Sequence, residues 1–295
     1  MPLRTRGAVV VLACVLASAG CSRGSRVLVV GSKNSTDQVI VGEILAQYLE
    51  KRLGTERVGR RLGLPGTQLT HESLLTGAID IYPEYTGAAL STLLKGEPAG
   101  TREAVRDRVQ EEYRARFRCE WIGPLGYENR FAAAVLRDTA EKLNLKTISD
   151  AEAYELGWSL TVLPEFQDRA DGQPQFMRTY RLRLGVPIRS TEAGSLYAAL
   201  DVAGAAMVAG QELDAALSTG AYVALEDNRR GFSFCEAGLV TKSSTLEEEP
   251  ALAGLLRGLS GKFDTARMRA MVKEVEVDKR APETVAAEFL KQAKL

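Results

Sequence analysis

The chain has a single histidine, His71, and four cysteines at 14, 21, 119 and 235, with no close cysteine pair. That pattern gives a zinc site or a histidine-dependent triad almost no support. Cys235 stands beside Glu236, which suggests a nucleophile and partner, but a thiol without a usable histidine has no obvious base. Two other stretches have chemistry of a binding kind. GSKNS (31–35) delivers the chain into a helix N-terminus, where unpaired backbone N–H groups and Lys33 can hold an anion. DIYPEYTG (80–87) packs Tyr82, Tyr85, Pro83 and two acids into eight positions. Pro83 argues against an ordinary central strand, and the rings are too dense for a solvent loop.

The elements that must position these residues alternate. RVLVV (26–30) reads as a strand closed by Gly31, and STDQVIVGEILAQYLEKR follows with Val39, Ile40, Ile44, Leu45, Tyr48 and Leu49 at helical spacing. Ser35 and Gln38 fit a capping box. A strand at RVGRRLGL, a helix across THESLLTGA, a short strand at IDIY and a helix from about Thr86 into STLLKG come next. Residues 101–116 read as a solvated amphipathic helix, and FRCEWIGPLG as a strand leaving a domain. From 131 to about 230 the style repeats, with strands at FAAAVLR and LGWSLTVL, helices near TISDAEAYE and QPQFMRTYRLRL, and helix plus strand through SLYAALDVAGAAMVAG. FSFCEAGLVTK and three helices at PALAGLLRGLS, ARMRAMVKEV and PETVAAEFLKQA are too helix-rich for a separate domain and are expected to pack back on the first unit. The fold class is α/β.

The 38 basic residues balance 38 acidic ones and 45% of the chain is apolar, so nucleic acid and acidic surfaces are not implied as partners. Arg4 and Arg6 precede the uncharged run AVVVLACVLASA, about half of the ~20 residues needed to span a bilayer, so residues 1–20 read as a signal peptide. LASAGC resembles a bacterial lipobox, which makes Cys21 the lipidated first residue, 21–25 a spacer, and a lipid anchor the membrane partner. Export leaves Cys119 and Cys235, which either pair or stay as two buried thiols, the second reading being preferred.

VVGSKNSTDQVIVGEILAQYLE, LGLPGTQLTHESLLTGAIDIYPEYTGAAL, LPEFQDRADGQ, LEDNRRGF and LSGKFDTARMRAMVKEVEVDKRAPETVAAEFL together resemble substrate-binding proteins of ABC importers for glycine betaine, choline and related osmoprotectants. The resemblance covers nearly the whole mature chain. It implies a two-lobed periplasmic-binding-protein (Venus-flytrap) fold, with lobe I at 26–128 plus 234–295, lobe II at 129–233, and crossings near 126–131 and 229–236. A small zwitterionic or cationic amine would lie in the interlobe cleft of a monomer that works with a permease, without cofactor or metal. Lys33 and Arg169 stand where the family meets the ligand carboxylate, Asn129 keeps a polar cleft position, and Tyr85 belongs to an aromatic cage around a quaternary ammonium, while Tyr82 is expected only to pack. The pattern departs at Ala88, where threonine is usual, at Phe131, where tyrosine is usual, and at Gln211, Cys235 and Glu236, where cage groups are replaced. Two lost rings cost about 1 to 4 kcal/mol for a trimethylammonium, and Gln211 and Glu236 as acceptors suit a ligand with N–H groups and a carboxylate. A sensor that presents solute to a membrane receptor is the alternative function; an exported enzyme is the least favoured.

Overall fold

A computed structural model of the chain describes residues 26–295 except 97–99, 156 and 202–204; the leader and Cys21 lie outside the described residues. In chain order the elements are β1 (Leu28–Lys33), α1 (Thr36–Leu53), β2 (Val58–Leu64), α2 (Gly66–Leu75), β3 (Ile81–Tyr85), α3 (Thr86–Ala88, widening into a π turn over Ala89–Leu93), α4 (Arg102–Glu112) and β4 (Cys119–Ile122). Then come β5 (Phe131–Leu136), α5 (Arg137–Lys142), β6 (Ser159–Val162), α6 (Pro164–Asp168), α7 (Gln173–Thr179), β7 (Arg189–Ser190), β8 (Ala206–Gln211) and β9 (Tyr222–Ala224). The chain closes with β10 (Ala237–Lys242), α8 (Ser243–Glu248), α9 (Pro250–Arg257), α10 (Thr265–Glu276) and α11 (Pro282–Gln292).

Two mixed five-stranded sheets result, ordered β2-β1-β3-β10-β4 and β7-β6-β8-β5-β9, each flanked by helices. The chain passes from the first sheet to the second after β4 and returns after β9, and the two passages touch through a bridge between Glu128 and Glu236. The expected return of the C-terminal part to the first unit is found, because β10 inserts between β3 and β4, antiparallel to both. Its helices α10 and α11 close one core over α1, with Ile44, Leu45, Leu49, Phe263, Met268 and Phe289 inside. The second sheet has its own aromatic core of Phe131, Trp158, Phe166, Phe176, Tyr180 and Phe232. The packing does not follow a single cut: Leu213 and Ala215, which follow β8 of the second sheet, join the first core, and Arg269 of α10 donates to the Glu212 carbonyl at 2.9 Å.

Several local readings are corrected. Pro83 lies in β3, the middle strand of its sheet. A proline there forfeits no ladder bond, because β1 pairs with β3 only at Ile81, and Thr86 N–H donates to Glu236 O, which aims the even-numbered amides at β10 and the proline nitrogen away from it. Ser35 is the N-cap of α1, but its side chain makes no cap bond and the buried Gln38 amide has no partner, so the capping box is absent. The TISDAEAYE helix is a 3-10 turn, capped reciprocally by Thr147 and Asp150, and the helix at 173 stops at Thr179. Around 195–201 the helix is replaced by short 3-10 turns. Cys119 and Cys235 are free and buried.

Candidate functional site

Lys33 ends β1 at a register shift, which turns its side chain inward ahead of α1. Its Nζ donates to Glu84 Oε1 at 2.5 Å and to Thr67 Oγ1 at 3.2 Å, and the Lys33 and Glu84 side chains are 9% and 0% exposed. The ammonium also lies 5.3 Å from the centre of the Tyr85 ring. Tyr85 donates its hydroxyl to Asp37 in the first turn of α1, and that hydroxyl sits 3.3 Å from the Tyr127 hydroxyl. The anion at this helix N-terminus is therefore the protein's own Asp37. Burial raises the Asp37 pKa, against the opposing effect of the Tyr85 hydroxyl, Ser35 and Lys33. Tyr82 is fully buried, 3.1 Å from His71 Nδ1 and donating to Glu84 Oε2 at 3.3 Å, so it packs as expected. Burial pushes His71 down to about 4 and its Nε2 has no partner, which fits a neutral ring with the proton on Nδ1.

Arg169 follows α6 in the second unit. Its Nε and Nη2 donate to the two oxygens of Asp171 at 2.8 and 2.6 Å, Nη1 donates to Glu165 at 2.8 Å, and the guanidinium lies 4.7 Å from the centre of the Phe131 ring. Burial opposes this charge, but Asp171 and Glu165 outweigh it and hold the Arg169 pKa above its usual value. Phe131 opens β5 directly across from Gln211 at the end of β8. Asn129 donates from Nδ2 to Gln211 Oε1 at 3.0 Å and accepts from Leu213 N–H at 3.3 Å, so the two amides orient each other.

The second passage between sheets brings Cys235 to this cluster. Burial pushes its thiol up to about 12, and the charges of Arg169, Asp171, Lys33 and Glu165 all act on it. A thiol kept protonated is no nucleophile at neutral pH. Glu236 does not join it: its carboxylate turns to Arg106 of α4 at 3.3 Å. Gly87 closes the contact between units, since a Cβ there would lie 2.9 Å from Phe234 O and 3.4 Å from both Asp171 Oδ2 and Cys235 Sγ. Asn129, Phe131, Arg169, Asp171, Gln211, Ser233 and Cys235 enclose a space of about 10 Å³, which holds no more than about one water.

Of the eight residues singled out for the ligand, five line this space and Lys33 and Tyr85 adjoin it, with Lys33 and Arg169 both acting on Glu165. Glu236 alone faces elsewhere. Sequence reasoning missed Asp37, Glu84, Glu165, Asp171 and Tyr127. The four acids lie within the very segments that carry Lys33, Tyr85 and Arg169, and the rule that a buried cation needs a counter-charge would have found them.

Residues 26–292 match the family described as the substrate binding domain of ABC-type glycine betaine transport systems. The chain is 30% identical over 292 residues to a glycine-betaine-binding protein of Pseudomonas aeruginosa, covering 95% of this chain and 92% of the relative. It is 28% identical over 274 residues to an ergothioneine transport permease/ergothioneine binding protein of Helicobacter pylori, covering 90% of this chain but only 47% of that relative's length. The crystal structure of a glycine betaine/carnitine/choline ABC transporter superimposes with a TM-score of 0.78 at 23% identity, over 90% of this chain and 98% of the other, which shows the shared two-lobed fold. The chain thus belongs to the family of substrate-binding domains of ABC-type glycine betaine importers.

Proposed function

We propose that the protein captures a small zwitterionic amine between its two sheets and delivers it to an ABC permease. The observation that carries this reading is the charge of the cleft: two buried cations, Lys33 and Arg169, meet four carboxylates, Asp37, Glu84, Glu165 and Asp171, among the rings of Tyr85, Tyr127 and Phe131. The acids outnumber the bases, so a positive group is what the cluster lacks. Ring faces attract such a cation by about 0.5 to 2 kcal/mol each. The negative end of the ligand has partners too, because Arg169 commits three of its N–H groups and Lys33 two of its three, leaving spare donors in both. Asn129 and Gln211 fix the pocket wall, and Cys235 supplies a small apolar surface; Glu236, turned to Arg106, is left out of this assignment. Lobe boundaries near 128/129 and 233/234, a lipid anchor at Cys21 and a monomeric state complete the proposal.

Calorimetry with glycine betaine, choline, ergothioneine and amino-acid-like zwitterions tests it. Binding of at least one in the micromolar range, weakened at least ten-fold by Arg169→Ala and by Tyr85→Ala, is the expected result; binding untouched by both changes would put the pocket elsewhere. A second reading, a cation without a carboxylate, is favoured by the fact that Arg169 and Lys33 already have Asp171 and Glu84. Choline binding tighter than glycine betaine would select it.

A further inference from the structure

Glu236 has no part in the ligand assignment, and its surroundings give it another. The two passages between the units form a short antiparallel ribbon in which Glu128 stands directly opposite Glu236. Asn129 N–H donates to Cys235 O and Ala237 N–H to Tyr127 O, each at 3.1 Å. These bonds flank the two glutamates and make them the non-hydrogen-bonded kind of cross-strand pair, whose side chains share one face and approach most closely. Like charges so placed push the strands apart. Both residues are buried, so salt does little to screen them. Burial raises the Glu236 pKa, and the charge of Glu128 adds to that rise while Arg106 and Arg102 oppose it.

The opposing charges come from α4 of the first unit, where Arg102 and Arg106 stand one turn apart on one helical face. Arg102 Nη2 lies 2.5 Å from Glu128 Oε1 on the first passage, and its guanidinium lies 5.1 Å from the centre of the Phe234 ring on the second. Arg106 Nη1 lies 3.3 Å from Glu236 Oε2. Val105 and Val109 are buried in a core of the first unit and fix the helix that carries both arginines. Arg130 also adjoins Glu128, at 4.0 Å, but is nearer to Glu212, at 3.4 Å. The outer edges of the same rung are bound to the first unit as well: Glu128 N–H donates to Thr265 Oγ1 at 3.3 Å and Glu236 N–H to Thr86 Oγ1 at 3.1 Å. We propose that Arg102 and Arg106 are positioning residues of the hinge, which hold the repelling glutamate pair closed so that the two passages bend as one ribbon, beyond that rung, at 129–130 and 233–235. The inference goes beyond ligand capture and holds whichever solute the cleft takes.

Amide hydrogen exchange on the whole protein, without added ligand, reads the ribbon directly at Asn129 and Ala237, whose N–H groups cross it. In Arg102→Gln/Arg106→Gln both glutamates lose their α4 partners, and the two amides should exchange at least about ten-fold faster, while amides of β1 and β8 change less than about two-fold. Adding Glu236→Gln removes the repulsion and leaves Glu128 to Arg130, so both rates should return to within about three-fold of the unaltered protein. Arg106→Lys keeps the charge and should stay within the same limit. Arginines that served only as packing would be rescued by neither change. Rates untouched by the double variant, or raised and not restored by Glu236→Gln, overturn the proposal. Circular dichroism checks the fold; if the double variant does not fold, Arg106→Gln against Arg106→Gln/Glu236→Gln decides in the same way, the first faster by at least about three-fold and the second restored.

Discussion

Replacing Arg169 by alanine removes three hydrogen bonds and strands Asp171, whose side chain is 2% exposed. Breaking one side of a buried ion pair costs about 3 to 5 kcal/mol. Arg169→Ala is therefore expected to lose about 3 to 4 kcal/mol at pH 7, about 10 °C in melting temperature. The double variant Arg169→Ala/Asp171→Ala removes the stranded charge as well and should recover at least 2 kcal/mol of that loss. Urea unfolding read by tryptophan fluorescence serves as the assay, with Trp158 in the core of the affected unit and Trp121 in the other. A single variant no less stable than the double refutes the reasoning.

His71 gives a pH signature. Its folded-state value near 4 lies below the unfolded 6.5, so its stabilising contribution is whole above pH 6.5 and is lost as pH falls through 4. The stability advantage of the unaltered protein over His71→Gln should fall by about 3 kcal/mol between pH 7 and 4, measured by urea unfolding at each pH; a constant difference would show that the ring is already solvated. Gly87→Ala tests the closeness of the units. The added methyl meets a backbone carbonyl that cannot swing aside, so the variant should keep its fold, widen the cleft in small-angle scattering and bind glycine betaine about ten-fold more weakly; unchanged scattering and affinity would show that the contact is slack.

The alternation of strands and helices was legible because both units bury one helical or strand face at a time, and the return of the C-terminal stretch to the first unit followed from its being too helix-rich for a domain of its own, whereas the insertion of β10 between β3 and β4 was seen only in the pairing. What sequence periodicity could not show was local hydrogen bonding. Pro83 reads as a strand breaker until the pairing of β1 is seen to end at Ile81, and Ser35 with Gln38 has capping-box spacing while tertiary packing directs Gln38 into the core. In the site, the cations were visible and their partners were not. Glu84 is separated from Lys33 by 51 residues, so no local pattern links them. Glu236 adjoins Cys235, but successive side chains of an extended chain point to opposite sides, and that alternation sends the acid to Arg106. Leu213 and Ala215 look like any loop after a strand, and only packing on α10 assigns them to the first core.

Each unit carries its own neutralised cation into the cleft: Lys33 with Glu84 from the first, Arg169 with Asp171 and Glu165 from the second. None of these ion pairs joins the two units, so drawing the units apart uncovers charge that is already compensated and breaks no salt bridge of the cluster. The attachments that do cross lie elsewhere: the paired passages at Glu128 and Glu236, the Arg269 bond to Glu212 and the seat of Leu213 on the first core tie the sheets together. Between Ser91 and Ala170 the two units leave a cavity of about 540 Å³, which shares Arg169 with the chamber beside Cys235. An interface tied at the passages and open, with its charge already neutralised, at that cavity bends about the tied part, so the mouth faces Lys95 and Asp168.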